Sequence, residues 1–439
     1  MVSTLPPGPP LPALAQAGLV WLMPLRFLYG CHRRYGDRFT VRVPGFGTMV
    51  YLVDSDDIRT VLRADPAIFH AGEANMPIAE IVGSRSVLVA DGEQHRRSRG
   101  MMLPAFHGDS VRKQVAHMVD ITAEDVAHWP VGEQFPLLPR TQAITLEIIL
   151  RTVIGVHDED RLAALRVALP PLVEIGSPLE LLPPPRLLRN VGLWRRRQQN
   201  KAKAHALLLA EITRCRRDPT LAQRTDALAM MVRTSDDEQP MDDGELVDQL
   251  VTLLLAGHET TAAALAWTFE RLTRNPALLE RTAQAAANSD DAWLDAVCKE
   301  SLRSRPVVWQ IGRKLTQPVE LAGYRLPTGT LVAPAINLVH HYGRYYPEPA
   351  EFRPQRFLDK RVDTSVWLPF GGGTRRCLGA TFAQTEMRTV LREVFRRVEL
   401  APTAESAEPV RVRHVTLVPH QGAMVTVRRH LAVDRVATA

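Results

Sequence analysis

Hydrophobic and polar positions change their period along the chain, and each change marks an element. Phe39 to Val43 and Met49 to Val53 read as strands, separated by Pro44, Gly45 and Gly47, which predicts a hairpin. From about Asp54 to Pro306 the pattern is mostly helical, interrupted by prolines that cluster most densely from Pro170 to Pro185. No helix crosses Pro183-Pro184-Pro185, so that stretch predicts a loop between two helices. Strand-like segments return at Val319 to Tyr324 and Leu331 to Pro334, around a Pro327–Gly329 turn. Met387, Val390, Leu391 and Val394 then form an i, i+3, i+4, i+7 stripe, which predicts a helix reaching about Arg397. With no repeat, low-complexity tract or flexible linker, the pattern predicts a single mainly α domain with a smaller β-rich part over residues 1–439. Residues 1–12 form a proline-rich arm.

One helix breaks the local rules. Asp242, Asp243 and Glu245 predict its start, and Leu246, Val247, Leu250, Val251 and Leu253 to Leu255 cover nearly every face, so it should be buried all round. Ala256-Gly257-His258-Glu259-Thr260-Thr261 then places a polar patch in mid-helix, which is costly unless its groups are satisfied and which often marks a functional site. A zinc-protease motif would need a second histidine where Ala262 stands. Thr260 can bond a carbonyl one turn back and open the helix there.

Composition narrows the choices. The 439 residues hold 33 prolines and 26 glycines, so helices must stop abruptly and often. A length prior of about three domains yields to the unbroken helical pattern. Four scattered cysteines, with no CxxC pair, exclude a disulfide framework and a zinc ribbon and predict a reducing, cytoplasmic setting. The net charge of +6 permits acidic partners without calling for nucleic acid. The apolar segment Leu11 to Leu28 is interrupted by Pro12, Gln16, Pro24 and Arg26, so a surface helix is expected in place of a transmembrane anchor. At most, Leu19, Trp21, Leu22 and Phe27 make a weak membrane contact. The basic run Trp194 to Lys203 reads as the solvated face of a helix continuing to Ile212.

The most informative stretch is Trp367-Leu368-Pro369-Phe370-Gly371-Gly372-Gly373-Thr374-Arg375-Arg376-Cys377-Leu378-Gly379, a loop running into a helix. Cys377 falls at or just before the helix N-terminus, where the dipole with Arg375 and Arg376 should lower a thiol pKa. No Lys-Ser or Lys-Thr follows the glycines, so this is not a phosphate loop.

Phe-Gly-Gly-Gly-x-Arg-x-Cys-x-Gly resembles the haem-binding loop of cytochromes P450. Ala256 to Thr261 resembles the family's oxygen-activation stretch, and Glu300-x-x-Arg303 with Arg356 resembles its buried Glu-Arg-Arg cluster. His95-Arg96-Arg97-Ser98-Arg99, with Pro104-Ala105-Phe106, resembles its haem-propionate helix; the likeness spans about residues 5 to 427. His95 stands where the family often has Trp, and Gln355 where it often has Glu.

The resemblance implies haem b, with Cys377 as the axial thiolate and Ala256, Phe370 and Gly379 around it. It assigns His95, Arg99, Arg313 and Arg375 to the propionates, Arg313 lying ten residues after Arg303. Glu259 and Thr260 would supply protons for dioxygen activation, and Glu300, Arg303 and Arg356 would fix the cysteine loop. Ala256, Val307, Val308, Trp309 and the segment Gln421 to Ala423 are expected to wall an apolar pocket. Gly72 to Val89 and Pro170 to Pro185 are expected to cover it. The implied activity is a monomeric, soluble, bacterial-type monooxygenase acting on an apolar small molecule. Pro6-Pro7-Gly8-Pro9 begins six residues in, and the length leaves no room for a reductase domain. Electrons are therefore expected from a ferredoxin or flavodoxin with its NAD(P)H-dependent reductase, docking on a basic face of Arg96, Arg97, Arg112, Lys113 and Arg376. A haem-thiolate peroxygenase or isomerase is disfavoured by the Glu259-Thr260 pair. A haem-based sensor would need an output element, and a thiol-nucleophile enzyme a His/Asn constellation; neither is visible in the sequence.

Overall fold

The computed structural model describes residues 5–173, 192–233, 240–358, 362–413 and 416–432. The predicted hairpin forms as Arg38–Val43 against Gly47–Leu52, with Phe39 opposite Tyr51 and their rings stacked at 5.2 Å. Gly47–Leu52 pairs in parallel with Leu331–Pro334, which pairs antiparallel with Arg313–Leu315, and Phe69–His70 closes the sheet. This order brings Arg313, from beyond the helical region, into the interior. Its apolar filling includes Phe39, Val41, Tyr51, Ile58, Val332 and Leu368.

A larger core lies among the helices. Its axis is the 31-residue helix Asp243–Thr273, begun by Asp242, whose carboxylate accepts the Glu245 N–H at 2.9 Å. It packs on Leu138–Ile149 and on Ala380–Arg397. Leu246, Leu250, Leu254 and Leu265 are almost wholly buried, each stabilising the fold by roughly 1.5–3 kcal/mol. Gly257 permits the close approach to Leu138–Ile149, because a Cβ there would stand 3.0 Å from Ile149 Cδ1. Of the described residues, this is the one helix long and apolar enough to cross a membrane, and it runs through the core.

Three expectations change. Pro170–Val173 is a helical turn, because proline is tolerated at the first helical position; the triple proline lies outside the described residues. Gly72 to Val89 contains a 3-10 helix, Glu73–Ile78, and a helical turn, Ala79–Val82, where a loop was expected. Val319 to Tyr324 is not one strand: Val319–Leu321 and Tyr324–Leu326 form a hairpin that turns at Ala322 (φ 55°) and Gly323 (φ 80°), the two positive φ values that a tight hairpin demands.

The N-terminal arm is tied down by Thr40, whose hydroxyl donates to the Pro6 carbonyl at 2.7 Å and whose N–H donates to Pro7 at 2.9 Å. Helices Ala13–Leu22 and Pro24–Tyr35 follow. Leu14 and Leu22 are 78% and 82% exposed, whereas Leu19 and Phe27 turn partly inward. The basic run from Trp194 lies on the helix Gly192–Arg217, with Arg195, Arg196 and Lys203 exposed.

Candidate active site

Backbone geometry sets the cysteine loop. Gly371 and Gly373 have φ of 61° and 66°, and a Cβ on Gly373 would fall 1.9 Å from the Leu62 carbonyl oxygen. Only glycine lets the loop lie this close to its neighbour. The Leu368 N–H donates to His340 Nε2 at 2.9 Å, anchoring the loop's entry. The Cys377 N–H then donates to the Phe370 carbonyl at 2.9 Å, and the helix Ala380–Arg397 begins just beyond Gly379. Cys377 is open to contact with a water-sized molecule, yet protein encloses it on the scale that governs charge solvation. Burial therefore pushes the thiol up, and the Gly379 N–H, Arg99 and Arg376 only partly pull it back. This corrects the expected depression: desolvation outweighs the two cations, so a thiolate here calls for a cation at the sulfur itself.

Around the loop is a cluster of cations with little to neutralise it. Arg313 is 8% exposed, and its Nη1 donates to the Gly312 carbonyl at 2.8 Å. Among the described residues no carboxylate comes within ion-pair range of it. Burial, with Arg375 nearby, lowers its pKa to about 10. His95, also buried, is pushed down to about 4 by burial and by Arg375, Arg99 and Arg313, so it is neutral at pH 7. Arg99 donates to the Arg376 carbonyl at 2.8 Å. Arg375 is placed differently: it pairs with Asp91 and donates to the Ala90 and Val87 carbonyls. Asp91 also accepts N–H groups from Ala71, Gly72 and Glu73. Sequence reasoning missed Asp91, because a lone Asp before a helix reads as a cap.

Glu300, Arg303 and Arg356 come together. Glu300 holds Arg303 through two bonds of 2.7 and 2.8 Å, both side chains fully buried. Arg303 also donates to the carbonyls of His340, Pro349 and Glu351. Glu300 accepts the Arg353 N–H at 2.8 Å. Arg356 stands farther off, 3.6 Å from Glu300, and donates to the Glu348 carbonyl. His340 links this cluster to the cysteine loop, since its carbonyl takes Arg303 and its ring takes Leu368.

The polar patch of the central helix divides between two faces. Ala256 is exposed and Leu253 and Thr260 half-buried, an i, i+3, i+7 face left open inside a buried helix. The Thr260 hydroxyl donates to the Ala256 carbonyl at 2.5 Å. Glu259 faces elsewhere: it accepts Gln142 Nε2 at 2.9 Å and lies 3.3 Å from Arg413. His258 is buried, 3.0 Å from the Thr145 hydroxyl, and burial lowers its pKa to about 4. The expected wall is mostly covered: Val307 and Ala423 are buried and Val308 and Trp309 half-buried. Buried Glu408 fixes the last segment by accepting the N–H groups of Gln421, Ala423 and Met424. Gln142, Arg413 and Glu408 carried no sequence signal, because each acts through contacts distant in the chain.

The expected basic face is thinner than its composition. Arg97 is committed to Glu245 at 2.7 Å, Arg96 pairs with Glu93 and Arg112 with Asp109. Arg376 and Lys113 are exposed, with no ion pair within the described residues.

The sequence model of the family described as Cytochrome P450 matches residues 5–427. Cytochrome P450 135B1 of Mycobacterium tuberculosis is 50% identical over 445 residues, covering 99% of this chain and 94% of that protein. Cytochrome P450 135A1 of the same species is 40% identical, covering 96% and 95%. Of solved structures, the retinoic acid-bound cyanobacterial CYP120A1 superposes with a TM-score of 0.84 at 24% identity, covering 98% of this chain and 100% of that one. The haem domain of cytochrome P450DA superposes at 0.83 and 21% identity, with the same coverage. The chain belongs to the cytochrome P450 family. That family consists of haem-thiolate oxidoreductases, and its fold is the one observed. The residues present fit the group: an open cysteine sulfur, an open face at Ala256, and a buried arginine with no carboxylate of its own.

Proposed function

We propose that this chain is a monooxygenase that inserts one oxygen atom of dioxygen into an apolar organic molecule. Its electrons would come from a separate ferredoxin or flavodoxin with an NAD(P)H-dependent reductase. The observation that carries the reading is Arg313, a buried guanidinium with no carboxylate in ion-pair range among the described residues, close enough to His95 and Arg375 for their charges to act on one another. Cys377 would hold the haem iron through its sulfur, and His95, Arg99 and Arg313 would take the propionates. Bound there, haem supplies the reductive activation of dioxygen, favoured by a thiolate that pushes electron density to the metal.

The protein's own groups do the rest. Phe370 and Gly379 set the position of Cys377, one through a carbonyl and the other through an N–H. Arg375, engaged by Asp91, acts as a positioning residue that ties the segment before the helix Gly92–Met102 to the cysteine loop. Thr260 holds its proton on the Ala256 carbonyl and can turn it to a water on the open face. Glu259 must exchange Arg413 or Gln142 for that water before it can pass a proton inward. Exposed Arg376 and Lys113 would attract an acidic electron donor; the surface pairs of Arg96 and Arg112 are each worth under about 1 kcal/mol and are easily exchanged. Buried, unpaired Cys31, Cys215 and Cys298 suit a reducing cytoplasm.

The purified protein should be red, and its reduced carbon-monoxide complex should show the strongly red-shifted band of thiolate-bound haem. Cys377→Ser should abolish that band; a colourless protein or a histidine-type band overturns the reading. Thr260→Ala should keep haem but waste electrons as peroxide. An unchanged ratio of product to NAD(P)H consumed removes Thr260 from proton delivery. Spectral shifts across a panel of apolar compounds would identify the substrate class.

A further inference from the structure

A cavity of about 150 Å³ is lined by none of the residues of the cysteine loop. It is bounded by the helix Pro24–Tyr35, the end of the helix Asp291–Ser304, the central helix and the hairpin of Val410–Arg413 with Thr416–Pro419. Trp267, Pro306 and Leu417 give it apolar walls. Tyr29 and Asn337, bonded to each other at 3.3 Å, border the same space.

Arg305 is the unexplained residue in this lining. Its Nη1 donates to the adjacent Ser304 carbonyl at 3.1 Å, while its Nε is buried with no hydrogen-bond partner. Among the described residues it has no ion pair. Its guanidinium stands 5.2 Å from the centre of the Trp267 ring. Glu270, the acidic group that acts on it, is already committed to Arg271 and Arg274. Burial and Arg271 lower the Arg305 pKa to about 10, which still leaves it charged at neutral pH. The terminal nitrogens of this half-buried cation, which has no ion pair among the described residues, are the donors it offers a carboxylate. An apolar cavity of roughly 150 Å³ is large enough for one benzene ring.

We propose that this cavity is a second small-molecule site, separate from the haem pocket, that binds an aromatic monocarboxylate of about benzoate size. The carboxylate pairs with Arg305, and the ring lies against Trp267, Pro306 and Leu417.

Calorimetric titration of the purified protein with benzoate, its iron saturated with imidazole, tests this. The expected result is one saturable site. Benzyl alcohol, the neutral counterpart, should bind about tenfold or more weaker, and acetate and inorganic phosphate likewise. Arg305→Gln should weaken benzoate by a similar factor. Val410→Phe, which fills the cavity from the hairpin, should abolish binding, and it carries the test if Arg305→Gln does not fold. No saturable binding, or unchanged affinity in these variants, overturns the proposal. Acetate or phosphate binding as tightly as benzoate would reduce the site to a bare anion contact and overturn the aromatic part. Benzoate binding that appears only when imidazole is left out would belong to the haem pocket and overturn the second site.

Discussion

Two buried arginines ten residues apart in the chain lead opposite lives. Arg303 is fully buried and uses every arm: two bonds to Glu300 and three to backbone carbonyls. Arg313 is almost as buried, yet it donates to one neighbouring carbonyl and meets no carboxylate in ion-pair range among the described residues. A buried charge persists only if something compensates it. Arg303 carries its compensation within the chain and serves the fold. Arg313 finds within the chain only one carbonyl and the more distant charge of Asp91, which supports its proposed role in holding an anion. The difference separates the scaffold from the proposed site.

The largest effect should come from opening the closed cluster. Glu300→Gln leaves the Arg303 charge buried without its carboxylate, and the expected loss of stability is about 3–5 kcal/mol. Urea unfolding measures it; a loss below about 1 kcal/mol would show that the carbonyls alone hold Arg303 and would break the contrast. The next effect has a different sign. Arg313→Gln should leave the haem-free protein as stable as before, or slightly more so, because it removes a desolvated charge. Haem retention should fall, by about 1.5–3 kcal/mol for a lost charged hydrogen bond. Haem transfer to an acceptor protein reads the retention, and apoprotein unfolding reads the stability. Equal losses in both would make Arg313 another scaffold residue.

What the sequence disclosed follows the same division. Cys377, Glu300 and Arg303 were readable because their partners sit at fixed short spacings, in one loop or within one helical turn. Asp91, Gln142, Arg413 and Glu408 were not, because each works through a contact across a large separation in the chain. Glu259 shows the limit within a motif: spacing puts it beside Thr260, but one residue along a helix is a rotation of about 100°, and the carboxylate faces Gln142 and Arg413. Hydrophobic period found the first hairpin and the long helices. It read Val319 to Tyr324 as one strand, because the turn at Ala322 asks a non-glycine residue for a positive φ.

The smallest effect sharpens the contrast most. His95 belongs to the open cluster, and burial with three arginines holds its pKa near 4 in place of 6.5. Between those values the unfolded chain binds a proton that the folded chain refuses, so lowering the pH costs stability across that window. The contribution is complete above pH 6.5, shrinks as the pH falls, and stops changing below about 4. Two propionates beside His95 would favour its charged form and raise the pKa toward 6.5. Haem-bound protein should therefore lose less stability than apoprotein between those pH values, and His95→Gln should remove the part of that difference that this histidine carries. The ring signals of His95, followed by NMR in a redox-silent, metal-free porphyrin complex, should titrate at higher pH than in the apoprotein. Identical titration with and without the porphyrin would mean that no carboxylate reaches His95, leaving Arg99 and Arg313 to hold the propionates.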